Sequence, residues 1–167
     1  MKVVIIGFMG SGKTSVASSL STKLGLTWIE MDSEIISRSG LTSIKEIFAK
    51  LGEATFRKLE QDVARDMAKA DNVVISTGGG AIFAKESLEN LRANGGRLVL
   101  LETSFEEIMK RVGNDPGRPL IKDPAFAKKL YDDRLAGYAS AADIVVSTDG
   151  KSIDTVVSEI ETRVQKA

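Results

Sequence analysis

Short apolar runs alternate with longer amphipathic stretches along the chain. Five of the runs predict β-strands, at residues 3–6, 28–31, 73–75, 98–101 and 144–146. Several are almost entirely Val, Ile and Leu, which is typical of parallel strands covered on both faces. The alternation predicts a three-layer α/β/α domain around a central five-stranded parallel sheet.

Between the strands, apolar residues recur at helical spacing. Three such stripes predict amphipathic helices: Val16, Leu20 and Leu24; Phe56, Leu59, Val63 and Met67; and Ile153, Val156, Val157, Ile160 and Val164. Ser43 and Ser104 are each followed three residues later by glutamate, a capping-box pattern that predicts a helix start. Residues 94–96, Asn-Gly-Gly, predict a helix end before the fourth strand.

One stretch, residues 113–122, interrupts the helical patterns with Gly, Asn, Asp and Pro in close succession and an arginine at position 118. This composition is typical of a mobile lid. The chain shows no internal repeat, low-complexity tract or Pro/Gly-rich linker. We therefore predict a single domain over residues 1–167 with a lid at about 113–122.

The composition narrows the function classes. The 167 residues contain 23 Lys and Arg and 23 Asp and Glu, so the formal net charge is zero, which offers no electrostatic case for a nucleic-acid partner. Cysteine and histidine are both absent, which excludes disulfides, thiolate metal sites and the commonest general base. Catalysis therefore has to use carboxylates, Lys, Arg, hydroxyls, backbone amides and a bound ion.

The N-terminal sequence lacks the apolar stretch of a secretory signal. No segment approaches the ~20 apolar residues that a membrane-spanning helix needs. We expect a soluble, cytoplasmic protein with no membrane partner.

Residues 7–14, Gly-Phe-Met-Gly-Ser-Gly-Lys-Thr, match the phosphate-binding pattern G-x-x-x-x-G-K-T. The pattern follows the first predicted strand and opens an amphipathic helix, which is the context it requires. Glycines let successive N–H groups turn inward around an anion, Lys13 adds a cation for the β- and γ-phosphates, and Thr14 offers a hydroxyl to Mg²⁺. The alternative is a glycine-rich turn with a chance Lys-Thr pair.

A phosphate-binding loop does not by itself indicate a kinase. Switch GTPases carry it together with a guanine-reading Asn-Lys-x-Asp segment, which this sequence lacks. Motor and AAA-type ATPases are far larger. A short chain with a lid-like arginine loop indicates a kinase that uses ATP and Mg²⁺ to phosphorylate a small molecule or a nucleotide.

Beyond the loop, the sequence resembles the shikimate kinase family over roughly its whole length. The resemblance rests on the loop itself, on residues 30–35 (Glu-Met-Asp-Ser-Glu-Ile), on residues 43–48 and 52–60, on Ser-Thr-Gly-Gly-Gly at 76–80, on Arg-Pro-Leu at 118–120, and on Arg134 and Tyr138. These combined patterns discriminate far better than the loop alone. They imply that ATP and shikimate are the partners, that the protein is a monomer, and that residues of about 32–60 form a helical substrate-binding region.

The resemblance assigns Asp32 to the shikimate hydroxyls, with a role as base, and pairs Arg57 with Arg134 on the shikimate carboxylate. Arginine's planar fork suits a carboxylate. From the residues alone, Asp32 is equally a helix N-cap, and either arginine alone is equally a solvated surface residue.

The family also implies that Gly78, Gly79 and Gly80 line the substrate, with the Gly79 amide as a donor. A plain tight turn is the alternative. Arg118 matches the family's lid arginine, which closes over the γ-phosphate, whereas on its own it is an exposed loop residue. Arg111 matches the arginine that stacks on adenine, although a helix C-terminus favours arginine anyway. The expected nucleotide-binding residues are Gly10, Ser11, Gly12, Lys13, Thr14, Ser15, Arg111 and Arg118.

The sequence departs from the family at Glu30, where an Asp-x-Asp pattern usually begins. The family residue holds a water bound to magnesium. Glu30 keeps the charge but is one methylene longer, so we expect a modest change in metal affinity. Two other functions stay open at this point: a kinase for another hydroxy acid such as gluconate, and a nucleotide-binding module without phosphotransferase activity.

Overall fold

The computed structural model describes residues 1–113 and 123–166. Five strands form one sheet: β1 (Lys2–Ile6), β2 (Thr27–Glu30), β3 (Val73–Ser76), β4 (Gly96–Glu102) and β5 (Ile144–Ser147). Every neighbouring pair runs parallel, in the order β2-β3-β1-β4-β5. The five predicted strands are confirmed, with ends displaced by one or two residues; Met31, predicted to end the second strand, begins a helix instead.

Helices connect the strands. The α-helices in the described residues are α1 (Lys13–Leu24), α2 (Met31–Ser39), α3 (Ile44–Met67), α4 (Lys85–Arg92), α5 (Phe105–Val112), α6 (Pro124–Ala141) and α7 (Ile153–Lys166), and short 3₁₀ turns cover Ala81–Phe83 and Ala93–Gly95. The hydroxyls of Ser43 and Ser104 accept hydrogen bonds from N–H groups three residues on, so both predicted helix starts are confirmed. In the described part of the chain, no helix is long and apolar enough to cross a bilayer.

Two apolar clusters lie on opposite faces of the sheet. One packs α1 and α7 against alternate residues of the central strands, and the other packs helices α2 to α6 against the remaining residues. In β1, Val3, Val4, Ile5 and Ile6 are all fully buried, because alternate side chains enter the two clusters. The predicted three-layer α/β/α architecture is confirmed.

Burial on both faces does not extend to the edges of the sheet. Strand β2 carries exposed or half-buried residues throughout, with Trp28 37% exposed, and β5 buries only Val146. An edge strand has a neighbour on one side only, and the covering helices concentrate over the centre of the sheet. An apolar run therefore predicts a strand here without predicting how deeply that strand is buried.

The order of the strands reverses direction around β1. The chain passes from β1 through α1 to β2 at one edge, returns to β3, and then crosses to β4 on the other side of β1. In open parallel sheets, ligands bind at the carboxyl edge where this reversal occurs. Residues 7–12 follow β1 at that edge, and residues 77–80 follow β3 beside it.

Helix α3 is interrupted at Gly52, whose φ of 82° and ψ of 168° lie outside the helical region. This conformation is nearly exclusive to glycine. It separates an N-terminal segment from the segment that carries Arg57. The predicted helical region of about 32–60 therefore consists of α2 and two differently directed parts of α3.

Candidate active site

The loop between β1 and α1 has the backbone of an anion-binding turn. Gly10 and Gly12 have φ values of 77° and 90°, and Gly12 is the residue that caps α1. A side chain on Gly7 would also place its Cβ 2.9 Å from the Leu101 carbonyl oxygen. The loop therefore needs its glycines, and it presents backbone N–H groups at a helix N-terminus, where an anion is favoured.

Lys13 folds back across the loop that precedes it. Its Nζ donates to the carbonyl oxygens of Gly7 and Phe8 at 2.8 and 2.9 Å. The ammonium group therefore lies beside the loop, as a phosphate-binding lysine requires.

The next residue, Thr14, contacts the acidic residue at the end of β2. The Thr14 hydroxyl donates to Glu30 Oε1 at 2.8 Å, and the Ser33 hydroxyl donates to Glu30 Oε2 at 2.7 Å. The longer glutamate thus reaches the threonine and is held in place by a serine one helical turn further on. These oxygen groups suit Mg²⁺, which prefers oxygen ligands and retains several waters.

The described residues contain no group of three or more His, Cys, Asp or Glu side chains able to hold a metal ion by themselves. A cation bound at Thr14 and Glu30 would therefore have to take its remaining ligands from water and a nucleotide's phosphates. Such a shared arrangement is usual for Mg²⁺ in kinases.

Asp32 lies in the first turn of α2, two residues after the capping residue Glu30. The N-cap alternative for Asp32 is therefore wrong. Burial raises the pKa of the Asp32 carboxyl, the Lys13 cation opposes this rise, and the Glu30 charge adds to it. Asp32 Oδ1 lies 3.0 Å from the point where a Cβ on Gly78 would sit, so the glycine makes room for the carboxylate.

The two predicted carboxylate-binding arginines come together at Gly80. A Cβ on Gly80 would lie 2.9 Å from Arg57 Nη1 and 3.6 Å from Arg134 Nη2, although the arginines belong to α3 and α6. Arg57 also lies over the Phe56 ring, and Arg134 over the Phe83 ring. Two guanidinium groups therefore converge on the last residue of the glycine segment, residues 78–80.

Glu60 was assigned no role from the sequence, yet it belongs to this cluster. Its side chain is 3% exposed and accepts a hydrogen bond from Arg57 Nη1 at 2.9 Å. Burial raises the Glu60 pKa, while the contact with Arg57 lowers it, and the rise prevails. The spacing of Arg57 and Glu60, three residues apart on an amphipathic helix, is a signal that the sequence contains.

Tyr138 is a second residue to which the sequence analysis gave no role. Its hydroxyl donates to the carbonyl oxygen of Gly79 at 2.6 Å. Gly79 also approaches the phosphate-binding loop, since a Cβ on Gly79 would lie 3.6 Å from the Tyr138 hydroxyl oxygen and 3.8 Å from the Met9 amide nitrogen. The central glycine thus lies between α6 and the loop.

Arg111, in the last turn of α5, bridges two loops. Its guanidinium donates to the Ser11 carbonyl oxygen at 3.4 Å and to the Thr148 hydroxyl and carbonyl oxygens at 3.3 and 3.1 Å. It also pairs with Glu107 at 3.0 Å. These contacts join the phosphate-binding loop to the turn after β5. Arg118 lies outside the described residues.

A single cavity of about 690 Å³ joins the two sides of the site. Its walls include the phosphate-binding loop with Lys13, the carboxylate of Asp32, and the glycines Gly78 and Gly79. Lys45 and Phe48, from the N-terminal part of α3, close another side. The cavity can therefore hold a nucleotide's terminal phosphate and an acceptor next to each other.

The phosphate-binding loop lies at the strand-order reversal of a parallel sheet and shares a cavity with the half-buried carboxylate of Asp32, and two arginines converge on the adjoining Gly80. This combination defines a P-loop kinase. Comparison with known proteins narrows the class: a family model described as shikimate kinase matches residues 9–165. The chain belongs to the shikimate kinase family.

Individual relatives agree with this family. A shikimate kinase of Aquifex aeolicus is 43% identical over 161 residues, which cover 96% of this chain and 94% of the relative. The structure of shikimate kinase from Acinetobacter baumannii in complex with shikimate has a TM-score of 0.90 and 30% identity, covering 99% of this chain and 93% of that one.

A gluconokinase from Sinorhizobium meliloti has a TM-score of 0.62 and 14% identity, with 99% of this chain and 91% of that one covered. At that identity the likeness shows a shared fold alone. The family resemblance inferred from the sequence is confirmed.

Proposed function

We propose that the protein transfers the γ-phosphoryl group of ATP to the 3-hydroxyl of shikimate, forming 3-phosphoshikimate and ADP. This is the kinase step in the synthesis of chorismate and the aromatic amino acids. The observation that carries the proposal is the single cavity that joins the phosphate-binding loop to Asp32 and the glycine segment. Around it stand groups for both reactants, an anion-binding loop for ATP and an arginine pair for an acid.

The acceptor is bound through its carboxylate and oriented through its hydroxyls. Arg57 and Arg134 converge on Gly80, and two guanidinium forks bind a carboxylate strongly and with defined geometry. The Gly79 amide is a further donor, with Gly78 and Gly80 lining the ring. Glu60 orients Arg57 through their 2.9 Å contact.

Asp32 orients the attacking hydroxyl and accepts its proton. The hydroxyl oxygen then forms the new bond to the γ-phosphorus, the bond from that phosphorus to the bridging oxygen breaks, and ADP leaves with the bond's electrons. Burial favours proton uptake because it raises the Asp32 pKa. Phosphoryl transfer otherwise demands positioning and charge stabilisation.

The phosphate groups are held by Lys13 and by the backbone of Gly10, Ser11 and Gly12, with Thr14 and Ser15 at the start of α1. Arg111 borders the nucleotide base from α5. Arg118, in a lid at about 113–122, is proposed to neutralise charge on the transferred phosphoryl group. An R118A variant with unchanged turnover would rule out that role.

Mg²⁺ is the cation that these groups fit. The Thr14 hydroxyl would bind it directly, and Glu30, which lies 2.8 Å from that hydroxyl, would hold it through a water, as the family resemblance implies. When bound, the ion neutralises charge on the β- and γ-phosphates. Ser33 holds the Glu30 carboxylate in the required direction.

We further propose that residues 1–167 act as one domain and as a monomer in the cytoplasm. ATP and shikimate are the partners, without nucleic acid or a membrane. The zero net charge and the resemblance to the family support this proposal.

The test is a coupled ADP-release assay with ATP and Mg²⁺, in which shikimate, gluconate and no acceptor run in parallel. We expect ADP release that depends on shikimate. ADP release with gluconate alone would overturn the assignment of shikimate as acceptor. The absence of ADP release with every acceptor would indicate a nucleotide-binding module without phosphotransferase activity.

A further inference from the structure

The two peptide groups that flank Gly79 are each fixed by a separate hydrogen bond. The Gly78 carbonyl oxygen accepts from the Ala81 N–H at 3.3 Å, which orients the peptide that carries the Gly79 N–H. The Gly79 carbonyl oxygen accepts from the Tyr138 hydroxyl at 2.6 Å, which orients the peptide that follows. A run of three glycines has no side chains to limit its rotation, so these bonds determine its conformation.

Tyr138 is itself held rigidly. It is 3% exposed, and its ring packs edge-on against Phe83 with centroids 5.3 Å apart. Phe83 fills a notch beside it, because a Cβ on Gly137 would come within 2.4 Å of the Phe83 ring. Burial raises the pKa of Tyr138 to about 12 against the opposing charge of Arg134. The hydroxyl therefore remains protonated, and a donor, at any ordinary assay pH.

The direction of the Gly79 carbonyl matters for an anionic acceptor. The carbonyl oxygen carries a partial negative charge, and the arginines lie close to its residue: a Cβ on Gly79 would be 3.4 Å from Arg134 Nη1, and a Cβ on the next residue, Gly80, would be 2.9 Å from Arg57 Nη1. If it rotated toward the arginines, it would compete with a bound carboxylate for their N–H groups. Tyr138 prevents this because its hydroxyl, which lies beside Arg134 on the same helix, already donates to the oxygen.

We infer that Tyr138 is a positioning residue for the acceptor: its hydroxyl orients the Gly79 carbonyl so that the glycine segment and the arginine pair present only donors to a carboxylate. The inference rests on the proposed function, since it concerns the same acid-binding side of the cavity. It assigns Tyr138 an effect on acceptor binding and none on ATP.

Tyr131 provides a matched control on the same helix. It is also buried, at 9% exposure, and its hydroxyl also donates to a backbone carbonyl, that of Thr103, at 2.8 Å. Thr103 follows β4 and is remote in sequence from the glycine segment. Removing either hydroxyl leaves one backbone carbonyl, buried at Thr103 and partly buried at Gly79, without its tyrosine donor, so we expect both variants to lose stability.

The experiment compares Y138F and Y131F with the unaltered protein for kcat, for KM of shikimate and of ATP, and for Tm. We expect Y138F to raise the KM for shikimate about five- to tenfold, the equivalent of one net hydrogen bond, with kcat and the KM for ATP unchanged. Y131F should lower Tm to a similar extent while both KM values stay at the unaltered level.

Two results would overturn the inference while the proposed function stands. In the first, Y138F has the same KM for shikimate as Y131F. In the second, Y138F raises the KM for ATP as much as it raises the KM for shikimate. If the unaltered protein releases no ADP with shikimate, the proposed function fails and the inference fails with it. Titration calorimetry of shikimate against the two variants gives the same comparison without turnover.

Discussion

The nucleotide side and the acceptor side of the cavity are built in different ways. On the nucleotide side, residues 7–14 form a continuous turn and helix start, and Lys13 contacts carbonyls five and six residues before it. On the acceptor side, Gly80 receives Arg57 from α3 and Arg134 from α6, while Asp32 approaches Gly78 from α2. The phosphate-binding loop is local in sequence, whereas the acceptor side depends on how four segments pack.

This difference determines how each side should respond to substitution. A local loop loses function when one of its own residues changes and is little affected by distant packing. A site assembled from several elements is also sensitive to residues that touch no ligand, such as Glu60 and Tyr138. Substitutions should therefore divide into those that lower turnover and those that weaken acceptor binding.

The largest expected effect is that of K13A. Removing the cation beside the transferred phosphoryl group should lower turnover by about 10²–10³-fold, the usual cost of losing one preorganised charge or donor. The measurement is ADP release at saturating ATP and shikimate. Lys45 lines the same cavity from α3, and K45A should keep most of its turnover. Similar losses in both variants would contradict the specific role of Lys13.

The next effect concerns the arginine pair. R134K keeps the charge but removes the planar fork, and we expect kcat/KM for shikimate to fall by about 10²-fold with the KM for ATP unchanged. R163K is the matched control, because Arg163 on α7 pairs with Glu159 away from the cavity.

The double variant R57K/R134K sharpens this test. Its loss should be smaller than the product of the two single losses, because both arginines bind one carboxylate. Independent losses would show that the arginines do not share a ligand.

A smaller effect is expected at the proposed metal site. E30A should raise the Mg²⁺ concentration needed for half-maximal activity by about tenfold, which is typical of groups that contact a metal's ligands. S33A should cause a weaker shift in the same direction, since it only frees the Glu30 carboxylate. Calorimetric titration of Mg²⁺ into the ADP complex provides a readout independent of turnover. Unchanged magnesium dependence in E30A would remove Glu30 from the site.

The smallest expected effect on catalysis is that of G52A. A side chain at φ 82° and ψ 168° strains the backbone, so we expect a loss of about 1–3 kcal/mol in the free energy of unfolding. The KM for shikimate should rise modestly, because the segment before Gly52 contributes Ile44, Lys45 and Phe48 to the wall of the cavity. G25A strains the left-handed cap of α1 instead, and its KM for shikimate should not change. Equal KM values in the two variants would contradict the difference between the sides.

Local patterns predicted most of the fold. Strand β1 is a run of Val and Ile because it lies at the centre of the sheet, and Ser43 and Ser104 cap helices through contacts only three residues long. Features that depend on residues distant in sequence, such as the burial of a strand, were predicted less accurately. Strand β2 looked like the other strands but lies at an edge, where Trp28 is partly exposed. The break at Gly52 was not predicted, although it separates the helix start at Ser43 from the apolar stripe that begins at Phe56.

For the site, the phosphate-binding loop could be predicted from local sequence, since glycine conformations, a lysine and a threonine act there within eight consecutive residues. The family pattern that named Asp32, Arg57 and Arg134 could also be found in the sequence. The contact of Glu60 with Arg57 and the hydrogen bond of Tyr138 to Gly79 became evident only in the folded structure. The physical reason is range: backbone geometry acts between neighbours along the chain, whereas burial and long-range hydrogen bonds exist only once the helices pack on the sheet.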